Sequence, residues 1–446
     1  IDGKPDTFWV SGGVKQQTVS LDLGSTRELG GAVIDWLPGL EASRYTVRAS
    51  QDGRDWRVVR EVSAGGGGRD WLALPETDAR YLRFDLQDGP NWRYGIRDIT
   101  LKPLAFSSTP NAFLSAVAGD LPRGSLPRAY VGEQPTWTLL GLDGGREQAL
   151  ISEDGAVEMA RGSFSVEPFV KLDGKVLSWA DVTTSQSLQD NYLPIASVGW
   201  QHAKAALSVT GFVQGSAEAS QLVSRYTLKN PDKVAHEYTL VLAVRPWQVN
   251  PPTQFLNTVG GFSRIDRLEV GSDRVLVNGE PRVYPLQAPD KRFATPFDAK
   301  LDVTHLAGDA LPATTTVTDP TGMASGALLY TIKLEPGQSR EVALVFPQSG
   351  SFNPRGFDPL KAQAQVAAMW RQKLDGLQLR VPAAGQPLAD TLRTSLAHML
   401  ISRVGPRLQP GTRSYGRSWI RDGAMISEGL LRMGRSDAVR DYVQWY

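Results

Sequence analysis

The chain has 446 residues, with 48 basic and 47 acidic side chains, a formal net charge of +1, and no cysteine. A near-neutral balance without long runs of one sign argues against nucleic acid and anionic membrane surfaces as partners, and the lack of cysteine rules out disulfides and thiolate metal sites. No stretch stays apolar for the ~18–20 residues that a membrane-spanning helix requires.

The length suffices for two or three domains, and 44 Gly, 29 Pro and 12 Trp fit a β-rich chain better than a helical one. Residues 1–105 read as short strands separated by turns. Val19-Ser-Leu-Asp-Leu, Tyr45-Thr-Val-Arg-Ala and Tyr81-Leu-Arg-Phe-Asp-Leu carry strand alternation, and Gln51-Asp-Gly, Ala64-Gly-Gly-Gly-Gly and Asp88-Gly-Pro mark turns. Regularly spaced short strands predict a sandwich. The spacing assigns Trp9, Trp36 and Trp56 to its core. The four-glycine run has no Lys-Ser/Thr after it, so it is not read as a phosphate loop.

Five phrases occur here in order: Asp2-Gly-Lys-Pro-Asp-Thr-Phe-Trp9, Leu21-Asp-Leu-Gly24, Tyr45-x-Val-x-Ala-Ser-x-Asp-Gly-x-Asp-Trp56, Ala79-Arg-Tyr-Leu-Arg83 and Gly95-Ile-Arg-Asp-Ile99. Together they resemble the discoidin, or coagulation factor type C, module, whose opening strand is expected to precede Ile1. The resemblance implies carbohydrate binding. Trp92 and Tyr94, in Pro90-Asn-Trp-Arg-Tyr, are candidate sugar-stacking residues, with a core role open for either. It also implies a structural Ca2+ with oxygen ligands from Asp2, Thr7 and Asp98, the ligand type calcium prefers; a solvated turn without metal is the alternative.

Phe106–Leu121 reads as a connection. A larger β region, 106–350, follows, with runs such as Ala206-Leu-Ser-Val-Thr-Gly-Phe-Val and Tyr238-Thr-Leu-Val-Leu-Ala-Val, and with Asn278-Gly279 predicting a tight hairpin. Two packed sheets are the natural arrangement for so many strands. The histidines, His202, His236, His305 and His398, are isolated and read as structural or surface residues. No Gly-x-Ser-x-Gly elbow occurs.

After the breaker-rich Ser351-Phe-Asn-Pro-Arg-Gly-Phe-Asp-Pro, the stripe Val366, Met369, Trp370 and Leu374 predicts a helix over 360–374. An extended strap starts at Leu377 and completes a linker, 351–384. Residues 385–446 then read as helices. The first has Pro387 near its start and Leu388, Leu392, Leu396 and Met399 along one face. The second carries Met425, Ile426, Leu430, Leu431 and Met433 and stops at Gly434, and a third opens at Ser436.

Between the first two lies Pro410-Gly-Thr-Arg-Ser-Tyr-Gly-Arg-Ser-Trp-Ile-Arg-Asp. Its two aromatics, guanidinium and carboxylate suit a sugar ring, whose C–H face stacks while its hydroxyls share bonds with the charged pair. Equally open on composition, Trp419 is a core residue and Arg421–Asp422 a helix-start ion pair.

Tyr415-x3-Trp419-x-Arg421-Asp422, followed by a small residue and an apolar helix, resembles the first active-site loop of glucoamylase-like glycosidases (glycoside hydrolase family fifteen). The order of large sandwich then helices resembles the supersandwich and (α/α)6 barrel of that group. The expected fold is therefore mostly β: a discoidin β-sandwich, then a supersandwich, then the first helices of an (α/α)6 barrel.

The resemblance implies that Tyr415 and Trp419 pack on the terminal sugar and that Arg421 and Asp422 bind its hydroxyls. It implies an inverting exo-acting glycosidase acting on oligo- or polysaccharide, needing no catalytic cofactor, secreted or periplasmic. Its two catalytic carboxylates are expected on later loops, past Tyr446, so none is named; Glu428 reads as a solvated side chain. Gly423 departs from the serine common in that family, and Arg413 and Arg417 leave an acidic or phosphorylated sugar open beside local ion pairs. A sugar phosphorylase or debranching-type enzyme, and a non-catalytic sugar-binding protein, remain alternatives.

Overall fold

The computed structural model describes residues 4, 6–299, 311–376 and 378–446. Among the described residues the fold is mostly β, with three sheets of six, eight and nine strands. The chain divides into two compact units, residues 1–126 with 295–305, and residues 127–294 with 306–446. No described helix is long and apolar enough to cross a membrane.

In the first unit the short strands expected from the sequence are joined into longer ones. Gln17–Trp36 and Arg69–Asp88 each run 20 residues and pair antiparallel, with register shifts between Asp22 and Arg27 and between Leu29 and Gly31. Such bulges bend a strand while keeping its pairing, so one strand does the work of two. Gly31 sits at the second bend because a Cβ there would lie 2.3 Å from the Phe106 ring. Phe106 in turn meets Phe113 edge-on at 5.4 Å. The stretch 106–121 is therefore more than a connection: it holds the helix Pro110–Asp120, capped by Thr109 and belonging to this unit.

Trp36 is buried as expected. Its indole N–H and the Tyr45 hydroxyl both donate to the Asp70 carboxylate, at 2.8 and 2.6 Å. The other two tryptophans differ from expectation. Trp9 is 40% exposed because it opens a two-residue edge strand with one neighbour. Trp56 is half-buried in a turn, under the Arg83 guanidinium 4.5 Å above its ring.

In the second unit neighbouring strands such as Ser165–Leu172 with His236–Arg245, and Ala205–Gly215 with Ser220–Lys229, pair antiparallel, and an isolated parallel bridge joins Ile265 to Met323. Alternation explains how one sheet serves two cores. In Ala205–Gly215, Leu207, Val209 and Val213 point into the sandwich, whereas Phe212 points outward. Phe212 lies opposite Val223, and Val223 opposite Val345, so the three make an apolar row on the outer face. Val366, Trp370 and Leu374 of the helix Pro359–Leu374 join the same core. Asp358 caps that helix by accepting from the amides of Leu360 and Lys361. The predicted hairpin forms at Asn278-Gly279, where both residues take positive φ (53° and 85°), as a primed turn requires.

The helix Gln386–Ser402 follows, with Leu396 buried, Met399 half-buried, and Leu388 and Leu392 exposed, so its expected stripe is only partly covered. The strap over 378–382 is irregular, and Leu377 lies outside the described residues. Helices Ile420–Arg432 and Ser436–Trp445 close the described chain, the first ending before Gly434 at φ 76°. Leu430 is buried and Ile426 and Met433 pack half-buried, whereas Met425 and Leu431 are exposed.

The start of the second unit is tied down by Arg128, whose guanidinium donates to both Asp154 oxygens at 2.9 Å and to Glu133 at 2.9 Å. It also lies 4.2 Å over the Trp179 ring. Burial, aided by the nearby Glu153 and Glu167 charges, pushes the Asp154 carboxyl up to about 6 against the pull of Arg128. A carboxyl whose folded pKa is raised adds stability that is full below its unfolded value and lost as pH rises through about 6. Relative to Asp154→Asn, the wild type should therefore gain about 1–2 kcal/mol on going from pH 7.5 to pH 5, measured as paired urea midpoints. Identical pH dependence in the two proteins would contradict this.

Candidate functional site

The loop before the helix Ile420–Arg432 is pinned from beneath. Arg413 opens a short turn over Arg413–Tyr415 with φ +55°, a conformation a non-glycine residue adopts only when its surroundings enforce it. The enforcing partner is Glu158, in the two-residue strand Val157–Glu158. Arg413 donates from Nε to Glu158 Oε1 at 2.9 Å, its Nη2 lies 2.7 Å from the same oxygen, and its Nη1 donates to the Gln148 carbonyl at 3.0 Å. Both members of the pair are buried. Burial pushes the Glu158 carboxyl up, while Arg413 and the Asn250 amide pull it back.

Glu158 fixes a second loop as well. Its Oε2 accepts from the Asn250 amide at 2.8 Å, at the base of the segment 250–261. That segment reaches over to Ser414: the Leu256 amide donates to Ser414 Oγ at 3.2 Å, and the Asn257 side-chain amide donates to the Ser414 carbonyl. One buried carboxylate thus holds two loops that are also bonded to each other.

Above this anchor the predicted residues emerge. Tyr415 is 55% exposed. Trp419 is the N-cap of the following helix and is half-buried, with the Arg417 guanidinium 5.8 Å over its ring. Arg421 is exposed and Asp422 half-buried, and their charged atoms are 3.9 Å apart, a loose pair that leaves bonding capacity on both. Asp422 also sits in the first helical turn, where a carboxylate complements the helix dipole. All four thus keep solvent-facing surface along the stretch 415–422.

Gly423 has a local cause. A Cβ there would lie 2.0 Å from the buried Tyr442 hydroxyl, so serine does not fit beside this tyrosine. Arg413 is withdrawn as a candidate for an acidic sugar because its charge is spent on Glu158; Arg417 remains exposed. Glu428 pairs with Arg432 at 2.7 Å on the open helix face, a solvated carboxylate.

The first unit offers a different surface. Trp92 is 57% exposed on a turn and takes φ +55°, again an enforced conformation for a bulky residue. Tyr94 is a correction to the expectation of a sugar platform: it is fully buried, its amide donates to Ser11 Oγ and its hydroxyl donates to the Lys15 carbonyl. A ring with no exposed surface cannot stack on a ligand.

Of the calcium candidates, Asp2 lies outside the described residues. Thr7 is exposed and donates its hydroxyl to the Lys4 carbonyl, and Asp98 accepts from the Thr100 hydroxyl. Among the described residues no three His, Cys, Asp or Glu side chains gather around a common point. His236 pairs with Asp232 at 2.8 Å, and burial lowers the His398 pKa; His305 lies outside the described residues.

The residues that sequence reasoning missed are Glu158, Gln148, Asn250 and Asn257. The trace of Glu158 in the sequence is a lone carboxylate inside the otherwise apolar run Ala156-Val157-Glu158-Met159-Ala160.

Residues 1–99 match the family model described as the F5/8 type C domain. No curated protein matches. Among solved structures, the chain is similar to chitosan-binding module 1 from a chitosanase/glucanase of Paenibacillus sp. IK-5, at 28% identity over 22% of this chain and 78% of that one, TM-score 0.22. It is also similar to CpGH89CBM32-5 from Clostridium perfringens in complex with GalNAc-β-1,3-galactose, at 21% identity over 23% and 79%, TM-score 0.22. A third is the family 32 CBM from C. perfringens NanJ in complex with galactose, at 18% identity over 23% and 80%, TM-score 0.22. The chain carries an F5/8 type C domain at its N-terminus.

Proposed function

We propose that the protein is a multimodular carbohydrate-active protein, secreted or periplasmic. In this reading the F5/8 type C domain holds an oligo- or polysaccharide, and the second unit contributes the terminal-sugar site of an exo-acting glycoside hydrolase of glucoamylase type. The observation that carries it is the loop 413–422. Two aromatics, a guanidinium and a carboxylate, all at least partly open to solvent, lie along a turn and helix start that Glu158 ties down through Arg413. Sugar recognition needs this combination: a flat apolar face for the C–H side of the ring and charged groups for bidentate bonds to its hydroxyls.

Pre-locking matters because a loop already in its bound shape gives up little ordering entropy on binding. In inverting hydrolysis one carboxylic acid protonates the leaving oxygen while a carboxylate, roughly 6.5–9.5 Å away, activates water. The residues named here would orient the ring for that step, and orientation is a large part of such catalysis. The role for Trp92 is the analogous stacking platform of the N-terminal domain, supported by its exposure and its family match.

The test is a glycan array followed by sugar-release assays on each hit. Asp422→Ala and Tyr415→Ala should each weaken binding at this site by about tenfold or more, the loss of ~1.4 kcal/mol apiece, and abolish release of single sugars. Trp92→Ala should weaken polymer binding while single-sugar release from short oligosaccharides continues. Release that persists unchanged in Asp422→Ala would overturn the assignment.

A further inference from the structure

Resting on the sugar-site reading above, we infer that the segment 250–261 of the sandwich is the second wall of the same site, with Phe255 as an additional stacking platform for a neighbouring sugar of a linear oligosaccharide. Phe255 is 72% exposed, and Leu256 and Val259 beside it are also exposed. An apolar tip of this kind is costly to leave in water and marks a contact surface.

The tip is held, not loose. Its base is closed by the Gly261 amide donating to the Asn250 carbonyl at 2.7 Å, and its middle by the Gly260 amide donating to the Gln254 carbonyl at 2.8 Å. Gly260 has no room for a side chain, since a Cβ would lie 2.1 Å from the Pro251 carbonyl.

The place of the tip gives its meaning. Phe255 is one residue before Leu256 and Tyr415 one residue after Ser414, and Leu256 and Asn257 are the residues bonded to Ser414. Two exposed rings thus flank one hydrogen-bonded junction, although they are 160 positions apart in the chain. A linear saccharide fits such a pair better than a protein does. The exposed apolar residues of the tip are Phe255, Leu256 and Val259, whereas a stable protein interface takes roughly 20–30 residues a side. An exposed aromatic ring offers each sugar an apolar face for its C–H side, so two rings can serve two successive sugars.

The role of Phe255 is thereby set apart from that of Tyr415. Tyr415 serves the sugar beside Asp422, and Phe255 serves a second sugar, so its contribution depends on ligand length.

The experiment uses the full chain with Trp92→Ala as background, to remove the platform of the other unit. Affinities are measured by calorimetry for maltose-, cellobiose- and chitobiose-series oligosaccharides of one to six units. For the series that binds, Phe255→Ala should leave monosaccharide affinity within about twofold and weaken the pentasaccharide at least fivefold. Phe255→Trp should restore it. Tyr415→Ala should weaken every length. Loss at every length in Phe255→Ala, or at none, overturns the inference while loss in Tyr415→Ala leaves the site reading standing. If no series binds, or if Tyr415→Ala changes nothing, both fall. Thermal unfolding confirms that Phe255→Ala, an exposed substitution, is folded; a collapsed transition would overturn the placement of Phe255 as a free platform.

Discussion

Arg413→Ala should lower the stability of the second unit by about 3–5 kcal/mol, because it leaves a fully buried carboxylate without its cation. The partner, Glu158, has no exposed surface and sits between two loops. The loss should be largely absent from the double variant Arg413→Met with Glu158→Gln, since replacing both members of a buried pair avoids the stranded charge. Urea midpoints for the two single variants and the double variant give the coupling energy directly. A single-variant loss under about 1 kcal/mol would mean that the pair does not anchor the loop.

The pH dependence should distinguish a stranded charge from a packing defect. Burial already pushes the Glu158 carboxyl up, and Arg413 is the largest influence holding it back. Without Arg413 the folded pKa rises further above the unfolded value. Stability from such a group is full below the unfolded pKa and lost as pH rises through the folded one. The deficit of Arg413→Ala should therefore shrink on acidification from pH 7 toward pH 5. A packing defect would be indifferent to pH over that range.

This anchor also shows why part of the site was legible in the sequence and part was not. The aromatic loop and the helix bounds have local signatures. Pro359, Pro387, Gly434 and Asn278-Gly279 each fix a backbone conformation by their own covalent structure, and they mark the ends of elements in the fold. Arg413 was conspicuous, but its role was not, because the partner lies 255 residues earlier. A long-range ion pair leaves no periodicity or spacing to read.

Tyr94 and Trp9 make the same point for burial. Both are aromatics near turns, yet Tyr94 is enclosed in the core just before the strand Gly95–Lys102 and Trp9 is half open on an edge strand, because position in the fold and not residue type decides burial. Likewise, the exposed Phe255 looks in sequence like any loop residue. Only the bonds from Leu256 and Asn257 to Ser414 give it a neighbour.

Asp143→Ala should loosen three elements at once. Asp143 is nearly buried in the turn after the strand Trp137–Gly141. It accepts from Lys373 Nζ at 2.6 Å and Arg403 Nε at 2.7 Å, and Arg435 Nη2 lies 3.5 Å away. Those cations come from the ends of the helices Pro359–Leu374 and Gln386–Ser402 and from the turn before Ser436–Trp445. Burial would raise the carboxyl pKa, but Arg403 and Lys373 outweigh it and hold it below the usual range. Such a group stabilises above its unfolded pKa, and that stability is lost as pH falls through the folded value, so Asp143 contributes fully at neutral pH. Removing it leaves three partly buried cations facing one another, with Asp437 to offset only Arg435. A cost of about 3–5 kcal/mol follows from breaking a buried ion pair in this way. By contrast Asp437→Ala, which removes a more exposed partner, should cost under about 1 kcal/mol. Hydrogen exchange should rise together at the amides of Gly144 and Gly405, which donate to Leu400 and Gly144 across the turn, and of Asp375, which donates to Arg371 at the end of the helix that carries Lys373. Added formate should restore part of the stability of Asp143→Ala, because a small carboxylate can occupy the place of the lost one among the three cations. Exchange confined to the turn 143–145, with no response to formate, would show that Asp143 does not tie these helices together.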